Sequence, residues 1–242
     1  MSDPIIQKTA DAFTRDLREA FGDDLVSVVL YGSAATGDFQ PKKSDFNFMV
    51  VLSPEGIRLI KKARKLVNRW ERARILFPLF VTEEWIRLSS DSFPVEFFGM
   101  KQAYRVIEGK DVLAGLDVSA GDLRLQCERE LKGKLLHLRA ESLLGRGKPK
   151  AVRTLISKSI VTYASLFRVL LFLKGKPVPG TREDVLTAAC GEFHLDLALF
   201  RNLLAIREKG ITYTKFELED FMDRYIAEID RLCRHVDQLT TV

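Results

Sequence analysis

Cysteine is scarce in this chain: Cys127, Cys190 and Cys233 are the three among 242 residues, far apart in sequence and without Cys-x-x-Cys spacing. An odd, dispersed set excludes a disulfide framework and a structural zinc site, and it predicts a protein of the reducing cytoplasm. Histidine is equally rare, and His137, His194 and His235 show no partner spacing that would build a metal cluster or a catalytic triad. Long apolar runs are missing as well, so no membrane span is expected. The opening Met1-Ser2-Asp3-Pro4 reaches charge at once, without a basic leader or apolar segment, and reads as no secretory signal. Neither an internal repeat nor a low-complexity tract is present.

What remains is the composition of an ordinary soluble globule, 46% apolar and 29% charged, with length for one large domain or two of about 120 residues. A net charge of +5 suits an anionic partner without choosing among nucleotide, nucleic acid or none. Residues 4 to 21 place Ile6, Ala10, Phe13, Leu17 and Phe21 at helical intervals, and Leu25 to Tyr31 reads as a buried strand. A second strand runs from Ser44 to about Leu52. Ser53-Pro54 then opens a helix predicted to continue to Arg72 with Ile60, Ala63, Val67 and Trp70 on its inner stripe. Strands are expected at 75 to 81, at Phe93 to Phe98 and at Tyr104 to Ile107, with a short helix capped by Thr82 between the first two. From about Asp117 the alternation of strands stops. One helix carries Leu123, Cys127, Leu131, Leu135 and Leu138 at helical spacing up to the Gly145–Pro149 break, a second carries Val152, Ile156, Ile160, Tyr163, Phe167 and Leu170 up to the Gly175–Gly180 break, and others are expected at 182 to 190, 194 to 208 and 215 to 239, the last with Leu218, Tyr225, Ile229, Leu232 and Val236 inside; this sets a boundary near residue 118 and a bundle of four or five helices beyond it.

Chemistry concentrates between Tyr31 and Val51. The first strand leads into Gly32-Ser33, and after 11 intervening residues comes Asp45-Phe46-Asn47-Phe48. Strand side chains alternate, so Asp45 and Asn47 share one face while Phe46 and Phe48 take the other. A Gly-Ser turn offers backbone donors and a hydroxyl to phosphate oxygens, and a carboxylate beside it can hold a divalent cation.

This segment resembles the signature of the polymerase-beta-like nucleotidyltransferase superfamily, in which Gly-Ser is followed after about ten residues by Asp-x-Asp; here Asn47 stands in place of the second acid. The likeness covers mainly residues 25 to 110, and the layout is similar to small bacterial members with a helical C-terminal domain, the aminoglycoside nucleotidyltransferases. It implies an α+β, two-domain protein: a nucleotidyltransferase-like mixed twisted sheet with helices in 1–118, then an all-α helical bundle in 119–242, with the pocket between them. It further implies Mg²⁺ (or Mn²⁺) and a nucleoside triphosphate as substrate. Gly32 and Ser33 would grip phosphates, Asp45 and Asn47 would ligate metal, and Glu96 on the Phe93–Phe98 strand would supply the third acid or take the acceptor's proton.

Two functions follow as expectations. One is Mg²⁺-dependent transfer of a nucleoside monophosphate to a hydroxyl of a small molecule or protein, by in-line attack on the α-phosphate with pyrophosphate leaving. The other, motivated by Asn47, is a catalytically impaired nucleotide-sensing or partner-binding protein of the same fold. Losing a carboxylate weakens metal binding in a calculable direction, since unit charges about 4 Å apart interact by about 4 kcal/mol at an effective dielectric near 20.

Other basic residues are weighed against solvated surface. Lys42 and Lys43 precede the metal strand and can meet phosphate, although a solvated loop pair explains them. Lys158, between Ser157 and Ser159, could reach toward a triphosphate, as the resemblance to two-domain enzymes with basic groups there implies, although solvent exposure explains it. The run from Arg58 to Arg74 crowds positive charge, but its one aromatic, Trp70, falls on the inner stripe and leaves no aromatic among the charges for base stacking, so nucleic-acid binding is not favoured. Arg129, Lys132 and Lys134 alternate with Glu128 and Glu130 and read as a salt-laced helix surface.

Overall fold

The computed structural model describes residues 4–36, 39, 44–145 and 147–239, and the chain divides into two compact units, Met1–Val118 and Ser119–Val242. In the first unit, helix α1 (Pro4–Phe21) buries the stripe its spacing predicts, Ile6, Ala10, Phe13, Leu17 and Phe21. That stripe packs on a sheet of four strands among the described residues: β1 (Leu25–Tyr31), β2 (Asn47–Leu52), β3 (Leu79–Val81) and β4 (Tyr104–Gly109), in the order β3-β2-β1-β4. β1 pairs antiparallel with both β2 and β4, and β2 pairs parallel with β3, so the sheet is mixed.

Alternation assigns the two faces. Val28 and Leu30 of β1 and Phe48 and Val50 of β2 join Phe46 in the core beneath α1, where the rings of Phe13 and Phe48 stack with centroids 4.4 Å apart. Val29, Met49, Val51 and Val81 face the opposite way, against Ile86 of α5 (Glu83–Leu88) and Phe97 and Met100 of α6 (Pro94–Gln102). Both faces of β1 and β2 are therefore covered, which explains their near-continuous apolar sequences.

A parallel β2–β3 pair requires a crossover. Ser53 caps its start by accepting from the Gly56 N–H at 2.9 Å, as the sequence indicates. The single helix expected to Arg72 is instead broken into α3 (Pro54–Arg58), a 3₁₀ segment (Ile60–Leu66) and α4 (Val67–Arg72). Tightening the middle turns the stripe: Ala63 and Trp70 are buried, while Ile60 and Val67 are exposed. Trp70 fixes the crossover to α1, because its indole N–H donates to Asp16 Oδ2 at 2.9 Å and Arg69 pairs with the other oxygen of that buried carboxylate.

Three strand expectations need correction. The strand expected from Ser44 is paired as β2 only from Asn47. The strand expected over 75 to 81 is confined to Leu79–Val81 plus a single bridge between Ile75 and Phe46. Arg74 (φ 61°) and Phe77 (φ 49°) are left-handed, and Pro78 has no N–H for a ladder, so the backbone cannot extend earlier. Phe93–Phe98 is not a strand. Pro94 sits at the first helical position and Glu96 in the first turn, both favourable at a helix N-terminus, and the segment forms α6.

The second unit is helical throughout its regular structure: α7 (Ala120–Leu144), α8 (Pro149–Leu173), α9 (Arg182–Glu192), α10 (Leu197–Glu208) and α11 (Lys215–Asp237). Side-chain oxygens of Ser119, Thr181, Asp196 and Thr214 cap four of the five, and Thr214 with Glu217 forms a reciprocal capping box. α8 packs against all four others, and its Tyr163 meets Tyr225 and its Phe167 meets Phe200 edge to face, each at a centroid distance of 5.6 Å. By length and composition α8 also suffices to cross a membrane, contrary to the expectation, since only Lys158 and Arg168 interrupt its C-terminal two thirds. Its inner stripe of Ile156, Ile160, Tyr163, Phe167 and Leu170 is nonetheless buried within this unit. On α7, Lys132 pairs with Glu128 and Lys134 with Glu130, the salt-laced surface expected there.

Candidate functional site

The site grows from the ends of two neighbouring strands. β1 finishes at Tyr31, directly opposite Asn47, the first residue of β2. The chain turns at once through Gly32, whose φ of +73° is left-handed and whose carbonyl accepts from the Ala35 N–H at 2.8 Å, opening the one-turn helix α2 (Ser33–Thr36). A Cβ on residue 32 would lie 2.7 Å from Asn47 Nδ2. Glycine is thus required for backbone conformation and for space, and the Asn47 carboxamide is pressed against the turn that carries Ser33.

Tyr31 also pairs with Tyr104 across β4. Directly opposed residues project to one face, so Asn47, Tyr31 and Tyr104 form a row across three strands. Burial pushes the Tyr31 phenol up to about 12, so it remains protonated at neutral pH. The Tyr104 phenol is raised too, by burial and by donating to Asp111 at 3.0 Å.

Asp45 lies two residues before Asn47, and with Phe46 and Phe48 both in the α1-side core, alternation directs Asp45 to the Asn47 side. Its carboxylate is engaged by Arg74, which donates to Oδ1 from Nη2 at 2.9 Å and from Nε at 3.2 Å. The Arg74 carbonyl in turn accepts from the Phe46 N–H at 2.9 Å. Side chain and backbone of Arg74 therefore grip the adjacent residues Asp45 and Phe46. Sequence reading missed this residue because it closes the basic run from Arg58; its signal is a cation immediately ahead of the apolar stretch Ile75-Leu76-Phe77 that leads toward the strand parallel to β2.

The remaining candidates are dispersed. Glu96 stands on the exposed side of α6, not on a strand beside β2. β1 and β3, the strands that do lie beside β2, carry no acid. Lys42, with Lys43, lies outside the described residues. Lys158 belongs to the second unit, where with Lys150, Arg153, Thr154 and Ser157 it lines a shallow basic groove of about 320 Å³. The three cysteines are buried and free, and burial pushes the Cys127 and Cys190 thiols up to about 12, which removes thiolate chemistry.

A divalent metal of the Mg²⁺ class needs several converging oxygen ligands, carboxylates among them. Here one carboxylate is held by a guanidinium, its neighbour is a neutral carboxamide, and among the described residues no three His, Cys, Asp or Glu side chains gather. The donor set does not fit that ion.

No family model matches the chain, and no curated protein matches it. Among solved structures, the crystal structure of spectinomycin adenyltransferase from Enterococcus faecialis with ATP and spectinomycin superposes with a TM-score of 0.59, at 12% identity, over 92% of this chain and 98% of that one. The fold is nucleotidyltransferase-like. Within the nucleotidyltransferase-like fold, the strand end and Gly-Ser turn that carry the sequence signature are the ones that bring Gly32, Asn47 and Asp45 to one end of the sheet.

Proposed function

We propose that this protein binds a nucleoside triphosphate at the Gly32–Ser33 turn beside Asn47 and Asp45, and that nucleotidyl transfer is impaired, so that it acts as a nucleotide-sensing or partner-binding protein. The observation carrying this reading is the Asp45–Arg74 pair with a neutral Asn47 as neighbour. Support for the nucleotide comes from the Gly-Ser turn held against Asn47 and from the structural neighbour, which holds ATP. Tyr31 and Tyr104 add aromatic surface in the same row.

Calorimetric titration with ATP, GTP, CTP and UTP, run beside a pyrophosphate-release assay over a panel of hydroxyl acceptors that includes spectinomycin, tests the proposal. Saturable binding of one nucleotide without pyrophosphate release is expected. No binding of any of the four would sink it.

The second reading is transfer of a nucleoside monophosphate to a hydroxyl acceptor. Retention of Asp45 on the Asn47 side of the sheet, after the Gly-Ser turn, favours it. In that reaction the acceptor oxygen bonds to the α-phosphorus, pyrophosphate leaves and a protein group takes the acceptor proton. Pyrophosphate release by the wild type, abolished in Asp45→Ala, would establish this second reading and retire the first.

A further inference from the structure

Arg74 is held in a way that an incidental surface ion pair is not. Its backbone is left-handed, with φ 61°, a conformation an L residue adopts at a cost and that persists where the surroundings impose it. The surroundings here are one short stretch of chain: Phe46 bonds to the Arg74 carbonyl, and Asp45 accepts twice from the guanidinium. The parallel bridge between Phe46 and Ile75 extends the attachment by one more residue.

The charges then sum differently from those of an acidic metal site. Asp45 contributes one negative charge, Arg74 one positive charge and Asn47 none, so the group is neutral where an acid pair would demand a dication before polyphosphate could approach. A guanidinium is permanently charged, and its planar fork can serve a carboxylate and a phosphate together. The Arg74 side chain is 39% exposed.

We propose that Arg74 supplies from the protein itself the positive charge beside Asp45, so that polyphosphate binds at this end of the sheet without a divalent cation. The inference rests on the nucleotide-binding reading above and deepens it by assigning the counter-charge.

The test titrates ATP and, to isolate the phosphates, inorganic tripolyphosphate into the full chain by calorimetry, once with EDTA and once with excess Mg²⁺. Wild type, Arg74→Ala, Arg74→Gln and Arg74→Lys are compared, with thermal melts to confirm folding. Wild-type affinity is expected to be the same in both buffers. In EDTA, Arg74→Ala and Arg74→Gln should lose roughly ten- to a hundredfold in affinity, and Arg74→Lys should recover most of it. Glutamine keeps a donor for Asp45 without the charge, so it carries the comparison should the alanine variant fail to fold. Wild-type binding that appears only with Mg²⁺ overturns this inference and leaves the nucleotide reading standing, as does a glutamine variant that matches wild type in EDTA. Absence of binding in both buffers overturns the two together.

Discussion

Gly32→Ala puts a methyl group where neither the backbone nor the neighbouring amide accommodates one. At φ +73° an L residue costs about 1–2 kcal/mol relative to glycine. The new Cβ would in addition lie 2.7 Å from Asn47 Nδ2, and driving that side chain off its rotamer adds about 1 kcal/mol. Gly22 supplies the internal control. Its φ of +55° is left-handed as well, but nothing lies within 4 Å of an added Cβ, so Gly22→Ala carries the backbone cost alone. For a unit of this size about 1 kcal/mol corresponds to roughly 4 °C. Scanning calorimetry should therefore show the first unit melting roughly 4–8 °C lower in Gly22→Ala and roughly 8–12 °C lower in Gly32→Ala. Tripolyphosphate affinity should fall in Gly32→Ala only. Equal destabilisation by the two variants would refute the placement of Asn47 against the turn, and an unperturbed Gly32→Ala would refute the left-handed backbone itself.

Trp70→Phe removes the indole donor from the buried Asp16 carboxylate, and urea unfolding should report a loss of about 1–3 kcal/mol. Asn47→Asp adds a second carboxylate two residues from Asp45; Mn²⁺ binding, followed by electron paramagnetic resonance, should strengthen relative to wild type, and an unchanged signal would refute the account of the donor set. In the second unit, Asp196 caps α10 by accepting from the Leu199 N–H, and that bond, together with Arg224, holds its carboxyl below the usual range. A carboxyl lowered in the folded state stabilises the protein above its unfolded pKa, near 3.9, and loses that contribution as pH falls through the folded value. Asp196→Asn should thus flatten the acid limb of a stability-against-pH curve while keeping a cap. Asp196→Ala should cost about 1 kcal/mol at neutral pH, mostly for the lost cap, since the Arg224 pair is largely solvated.

Elements with a sustained period were legible from sequence. The stripe from Ile6 to Phe21 and the stripes of α7, α8 and α11 are buried as spacing requires, and Ser53 and Thr82 cap the helices they precede. Phe93–Phe98 reads as a strand because six residues, apolar but for Glu96, are too few to show a helical period; Pro94 at the first helical position is the better guide. The break at Ile60–Leu66 has no glycine or proline to announce it, and it places Trp70 over Phe13 and beside Asp16, partners remote in sequence. The Gly32, Asp45 and Asn47 part of the site could be read because strand alternation and one tight turn fix it locally. Arg74 could not, since a bond to a carboxylate 29 residues earlier depends on which strands become neighbours.

The tryptophan pair offers an optical handle on the molecule. Both indoles, Trp70 and Trp85, fall in the first 118 residues, and the second unit has none. Trp70 is 3% exposed and Trp85 43%, so an emission red shift during denaturation tracks the loss of the Trp70 environment while the helical unit stays silent. Far-ultraviolet ellipticity, dominated by the long helices of the other unit, follows that half. Reading the two signals in one experiment separates the unfolding of the sheet-containing unit from that of the bundle without cutting the chain.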